Sequence, residues 1–133
     1  MSFFRGKVVI VTGSSVGIGR EIARVFAGKG AKLTITGRNS EALEKTKEEC
    51  VAAGVSNENV LVVLGEITDE ATLKKIVDET VARFGQIDIL VNNAGAAVPT
   101  TTAFLEETSS DHLDKTMAIN AKSSVFFILP FFA

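Results

Sequence analysis

The sequence has no tyrosine and no tryptophan, and only one cysteine, one histidine and two prolines in 133 residues. Without tyrosine there is no phenol to act as a proton donor. Cys50 alone cannot close an internal disulfide, and a single cysteine with a single histidine offers no spacing for zinc, so no metal site is expected. Cys50 reads as a small apolar residue on a helix face. Neither sign of charge dominates: Lys+Arg number 14 against Asp+Glu 16, a net charge of −2. The basic residues are scattered rather than striped, which argues against nucleic acid as a partner. Nothing upstream of position 125 is apolar for long enough to cross a bilayer, and Met1 to Gly6 lacks the apolar run of a signal peptide. A soluble, cytoplasmic chain with no membrane partner is the expectation.

What is present is an alternation of periodicities. Lys7 to Thr12 is a continuous β-branched run, the pattern of a strand buried on both faces. A helix is predicted over Arg20 to Lys29, with Ile22, Ala23, Phe26 and Ala27 inward and Gly28 and Gly30 ending it. A strand follows at Lys32 to Thr36, then a helix at Glu41 to Ala53 with Leu43, Cys50 and Val51 inward. Asn59 to Leu64 is a third strand, Asp69 to Phe84 a third helix, Ile87 to Val91 a fourth strand, and a fourth helix begins at Asp111. Strands alternating with helices imply an α/β fold: a Rossmann-like, doubly wound parallel sheet built from right-handed crossovers. No repeat or linker divides the chain, so one domain over 1–133 is expected.

Between the first strand and first helix stands Thr12-Gly13-Ser14-Ser15-Val16-Gly17-Ile18-Gly19. A pyrophosphate can lie against free backbone N–H groups at a helix N-terminus only where no Cβ blocks its approach, and the two serines add hydroxyls. A second landmark, Asn92-Asn93-Ala94-Gly95, ends the fourth strand. Both fall at the carboxyl ends of parallel strands, where open α/β sheets bind ligands.

These two motifs resemble those of the short-chain dehydrogenase/reductase family. Thr12, Gly13, Gly17 and Gly19 match its cofactor turn, residues 92 to 95 match its Asn-Asn-Ala-Gly, and the likeness runs from about Gly6 to about Ile128. The resemblance implies that Gly13, Ser14, Ser15, Gly17, Ile18 and Gly19 contact the pyrophosphate and adenosine ribose, and that the backbone of Asn93, Ala94 and Gly95 approaches the cofactor. It makes Thr12 and Asn92 structural ties between the turn and the fourth strand. It places Glu66 and Ile67 at the adenine; Glu66 stands where relatives usually have an aspartate one methylene shorter. The substrate it implies is a small-molecule alcohol or carbonyl.

Charge at the end of the second strand separates the two nicotinamide cofactors. An acid there favours a ribose 2′-hydroxyl, whereas an arginine favours a 2′-phosphate. Thr36-Gly37-Arg38-Asn39 holds no acid. NADP(H) is the expected cofactor, with NAD as the alternative, Arg38 on the 2′-phosphate and Asn39 or Ser14 assisting. Many NADP-preferring relatives carry a further basic residue where this chain has Val16.

The family's catalytic Ser, Tyr and Lys come after the fourth helix, and one member of its tetrad is matched here. Met117-Ala118-Ile119-Asn120 corresponds to the segment whose Asn holds a relay water through its backbone, so Asn120 is the carried-over catalytic position. A polar residue that kinks a helix is the plainer reading of Asn120. The likeness fades after Ile128, where Pro130 cannot continue a helix ladder. An incomplete domain is expected, arising from an alternative transcript end or a cut chain, with an apolar strand edge left at Ile87 to Val91. The fourth helix resembles the one through which relatives dimerise, so a homo-oligomer is expected. Two readings stand: an NADP(H)-dependent oxidoreductase represented by its N-terminal half and inactive alone, or a non-catalytic nucleotide-binding or subunit-interaction fragment.

Overall fold

Four β-branched residues form β1 (Val8–Val11), and all four are buried. A strand without an exposed position must be covered on both faces, and β1 lies inside a four-stranded sheet of order β3-β2-β1-β4. The computed structural model describes residues 2–95 and 109–123, apart from the side chain of His112. β2 (Lys32–Gly37) and β4 (Ile89–Val91) run parallel to β1, with Val9 opposite both Leu33 and Ile89. β3 (Val60–Leu64) pairs parallel with β2, Leu33 opposite Val60. β4, paired with β1, is an edge strand among the described residues.

Three helices connect these strands: α1 (Gly17–Gly28), α2 (Ser40–Ala53) and α3 (Glu70–Phe84). Alternation along the strands sorts the helices to opposite faces. Val9, Val11, Leu33, Ile35 and Val60 form one core with Ala23 and Ala27 of α1 and Leu43 and Cys50 of α2. Thr34 points the other way, and its hydroxyl meets that of Thr80 on α3 at 2.8 Å. The chain thus winds outward through α1 and α2, then returns through α3 to the opposite side of β1. That reversal makes the carboxyl ends of β1 and β4 the switch point of the sheet.

Element boundaries differ modestly from the sequence reading. α1 starts at Gly17 rather than Arg20, because the glycine turn itself enters the helix. Val51 is a correction: it is 37% exposed, and Thr46 takes an inward position between Leu43 and Cys50. Thr46 spends its hydroxyl on backbone carbonyls, so a polar residue occupies a place where only apolar ones were sought. Cys50 is fully buried, and burial, followed by the Glu49 carboxylate, pushes its thiol up to about 11. A thiol held protonated in this way is chemically quiet.

The chain divides into two units, Met1–Ala94 and Gly95–Ala133. Of the second, the described part comprises exposed Gly95, α4 (Ser110–Met117) and a continuing π-helical turn, Ala118–Lys122. Asp111 and Lys115 pair at 2.7 Å along α4. The expected departure from a helix after Ile128, at Pro130, lies outside the described residues. No helix among the described residues is long and apolar enough to cross a membrane.

Candidate functional site

The glycine turn is held from three sides. Against β4, the Thr12 hydroxyl accepts from the backbone N–H of Asn93 at 3.0 Å and of Ala94 at 2.9 Å. The Asn93 side-chain amide donates in return to the carbonyls of Thr12 at 3.2 Å and Gly13 at 3.1 Å. Thr12 is therefore the expected tie, but the side chain that answers it belongs to Asn93, while Asn92 is exposed. Against β2, the Ser14 hydroxyl donates to Val11 O at 2.9 Å and accepts from the Thr36 N–H at 3.0 Å, and the Ser14 N–H donates to Thr36 O at 3.1 Å. Ser14 is fully buried. Its expected role as a hydroxyl for phosphate or ribose is thereby corrected: it staples β1 to β2, with its backbone N–H and hydroxyl already engaged.

The third side was not anticipated from sequence. Arg20 donates to the Ser15 carbonyl at 2.5 Å, to Ala42 O at 3.0 Å and to the Thr46 hydroxyl at 3.0 Å. Thr46 donates onward to Ser14 O at 2.8 Å. The carbonyls of Ser14 and Ser15 are thus drawn toward α2. A cation in the first turn of a helix opposes the helix dipole, so Arg20 beside Gly19 was a visible signal that some other contact holds it there.

The three glycines of the motif do different work. A Cβ on Gly13, whose φ is +62°, would stand 2.7 Å from Ala94 Cα, and one on Gly19 would collide with the Gly13 carbonyl and lie 2.5 Å from the Asn93 amide nitrogen. Both therefore serve the chain's own close packing. Gly17 has φ +63° and nothing within 4 Å of where its Cβ would be. It is the open glycine, exposed at the first position of α1. Its neighbour Ile18 is 75% exposed.

The α1 N-terminus receives no hydrogen bond from a side chain at its cap, Val16, and its first turn contains no acid. Its leading N–H groups have no intrahelical acceptor, and such a terminus favours an anion. Beside it, Ser15, Arg38, Asn39, Ser40 and Glu41 line an open groove of about 600 Å³. Gly37 allows this packing, since a Cβ there would be 3.2 Å from Ser15 Oγ. The Asn39 side chain caps α2 by accepting from the Ala42 N–H at 3.0 Å, which commits its oxygen. Across the carboxyl ends of β2 and β3, Arg38 Nε and Glu66 Oε1 are 3.2 Å apart, both largely exposed, while Ile67 is half-buried.

The sequence-derived residues from Gly13 to Gly19, Arg38, Asn39, Glu66, Ile67, Asn93 and Ala94 therefore share one end of the first unit. Gly95 and Asn120 belong to the second unit and are described by themselves. Asn120 sits in the π-helical turn, its side-chain amide donating to Thr116 O at 2.9 Å. Single π turns within helices often mark functional positions. Among the described residues, no group of three or more His, Cys, Asp or Glu is placed to hold a metal.

Comparison with known proteins follows the same lines. The family model described as short chain dehydrogenase matches residues 7–131. An uncharacterized oxidoreductase of Thermotoga maritima is 43% identical over 119 residues, covering 90% of this chain and 44% of that protein. An 11-beta-hydroxysteroid dehydrogenase-like 2 of Arabidopsis thaliana is 38% identical over 121 residues, covering 91% of this chain and 38% of that protein. A short-chain dehydrogenase/reductase of Caenorhabditis elegans, crystallised with cofactor, superposes with a TM-score of 0.91 at 42% identity, covering 96% of this chain and 47% of that one. The chain spans less than half the length of these relatives.

Proposed function

Since the chain belongs to the short-chain dehydrogenase/reductase family of oxidoreductases, we propose that it forms the adenosine-binding part of an NADP(H) site whose parent reaction interconverts an alcohol and a carbonyl. The observation that carries this reading is the α1 N-terminus, which no side chain among the described residues caps and whose first turn has no acid, beside the groove headed by Arg38. A bound nicotinamide cofactor supplies or accepts the hydride. This chain's own part is to bind and orient its nucleotide end. The N–H groups from Gly17 onward face the pyrophosphate, with Ser15 alongside and Gly17 and Ile18 left open to it. Gly13, Ser14 and Gly19 shape the turn, while Asn93 with Ala94 forms the neighbouring wall. Arg38 meets the 2′-phosphate, and Ile67 offers an apolar surface to the adenine. Asn120 is the relay position of the complete reaction, and α4, with Leu113 and Met117 exposed, is the surface on which a second copy pairs.

The absence of tyrosine from these 133 residues favours a second reading of the chain by itself, nucleotide binding without turnover. Calorimetry on the chain tests the main reading. NADP should bind at least about tenfold more tightly than NAD, since a guanidinium–phosphate contact is charge-assisted. Arg38→Asp should reverse that order. Equal affinities, or an Arg38→Asp chain that still prefers NADP, would sink the cofactor assignment.

A further inference from the structure

We infer that Glu66 is a selectivity-tuning residue: its carboxylate engages Arg38 and competes with the ribose 2′-phosphate for that guanidinium. The inference rests on the NADP(H) reading above and adds a residue that weakens it. Arg38 Nε stands 3.2 Å from Glu66 Oε1, and among the described residues this is the one ion pair Arg38 makes. The side chains are 71% and 53% exposed, so the pair is solvated and easily exchanged. Exposed ion pairs contribute little to stability. Such a contact can instead govern which anion the arginine holds, because an incoming phosphate must take the guanidinium from a partner already in place.

Placement supports this assignment. Gly37 N-terminal to Arg38 is opposite Leu64 in the parallel register, so the chain leaves β2 and β3 at the same level, and Arg38 and Glu66 follow within two residues of that pair. The Gly65 N–H donates to Gly37 O at 3.0 Å, extending the ladder to the foot of the ion pair. Gly65 packs closely under Thr72, where a Cβ would lie 2.6 Å from the Thr72 methyl. Glu66 thus projects from a fixed point, and its extra methylene relative to aspartate provides reach toward Arg38. Glu41 is the other carboxylate beside the groove, and it makes no ion pair with Arg38.

The test compares adenosine 2′,5′-bisphosphate with 5′-AMP, by calorimetry on the full chain. The readout is the ratio of the two affinities, which a purely structural role for Glu66 would not move. Glu66→Gln should raise that ratio roughly two- to fivefold, the range of an exposed pair. Glu66→Asp keeps the charge and shortens the reach, and should raise it by a similar factor. In an Arg38→Ala background the Glu66→Gln gain should vanish. A ratio unchanged in both single variants overturns the inference while leaving the NADP(H) reading intact. So does a Glu66→Gln gain that survives Arg38→Ala, since it would come from direct repulsion of the phosphate. A parent chain that does not prefer the bisphosphate overturns the NADP(H) reading, and this inference with it.

Discussion

α1 and α2 both begin at the carboxyl end of the sheet, yet only α2 completes its own terminus. Asn39 accepts from Ala42 N–H and Glu41 lies in the first turn of α2, as Asp69 and Glu70 do for α3. α1 has Val16, which cannot cap, at its N-cap position, followed by Gly17, Ile18 and Gly19. The difference is not looseness, because the turn feeding α1 is the more heavily braced of the two. Thr12, Asn93, Ser14, Arg20 and Thr46 all spend hydrogen bonds on it. The chain thus braces a turn while leaving its leading N–H groups without a side-chain partner among the described residues. This is pre-organisation, in which ordering is completed before a ligand arrives.

The largest effect that would break this contrast comes from the packed glycines. Gly19→Val directs its side chain at the Gly13 carbonyl and the Asn93 amide. Overpacking against backbone in a braced turn should cost about 3 kcal/mol or more, read as a reduced denaturation midpoint, together with loss of nucleotide binding. If the fold and the affinity both survive Gly19→Val, the bracing described for this turn is wrong.

A pair of substitutions inverts the comparison. Val16 is 62% exposed with extended backbone, φ −150° and ψ 168°, the conformation an N-cap requires. Val16→Asp should therefore cap α1 and raise stability by about 0.5–1 kcal/mol, while its charge weakens nucleotide binding at least about tenfold. Asn39→Ala should do the reverse for α2, lowering stability by about 1 kcal/mol. Chemical denaturation beside calorimetry would reveal both signs. A Val16→Asp chain that binds NADP as well as the parent would remove the α1 terminus from the site.

Much of this was legible from periodicity. The strand and helix order follows from β-branched runs alternating with helical spacing, and the glycine turn with Asn93 and Ala94 follows from two motifs at strand ends. What escaped the sequence depends on register between distant segments. Ser14 looked like a free hydroxyl because nothing local shows that β2 brings Thr36 against it. Thr46 was not among the expected inward residues, because the Ser14 and Ser15 carbonyls that receive its hydroxyl belong to a turn some thirty residues earlier. Arg38 and Glu66 were each expected near the cofactor, but their pairing was not legible, since it needs β2 and β3 to end level.

The smallest effect contrasts the two ends of the β1–β4 pair. At the carboxyl end the tie is the neutral Thr12–Asn93 exchange, insensitive to pH. At the amino end it is ionisable: Asp88 Oδ2 accepts from the Val8 N–H at 2.8 Å and from the Gln86 amide at 2.8 Å. The Val8 hydrogen bond, followed by that of Gln86 and the charge of Lys7, holds the Asp88 carboxyl below the usual aspartate range. A carboxyl whose folded pKa is depressed binds fewer protons folded than unfolded, so its contribution is full above the unfolded value of about 4 and fades as pH falls through the lower, folded one. Asp88→Asn should leave the stability difference between pH 7 and pH 5 nearly unchanged and flatten the acid limb below pH 4. Proton uptake on acid unfolding should fall by a fraction of a proton, because Asp88 is solvent-exposed and its interactions are screened. An acid limb as steep in Asp88→Asn as in the parent would mean that the amino end of the pair is held by backbone hydrogen bonds alone, such as Asp88 N–H to Val8 O at 2.9 Å.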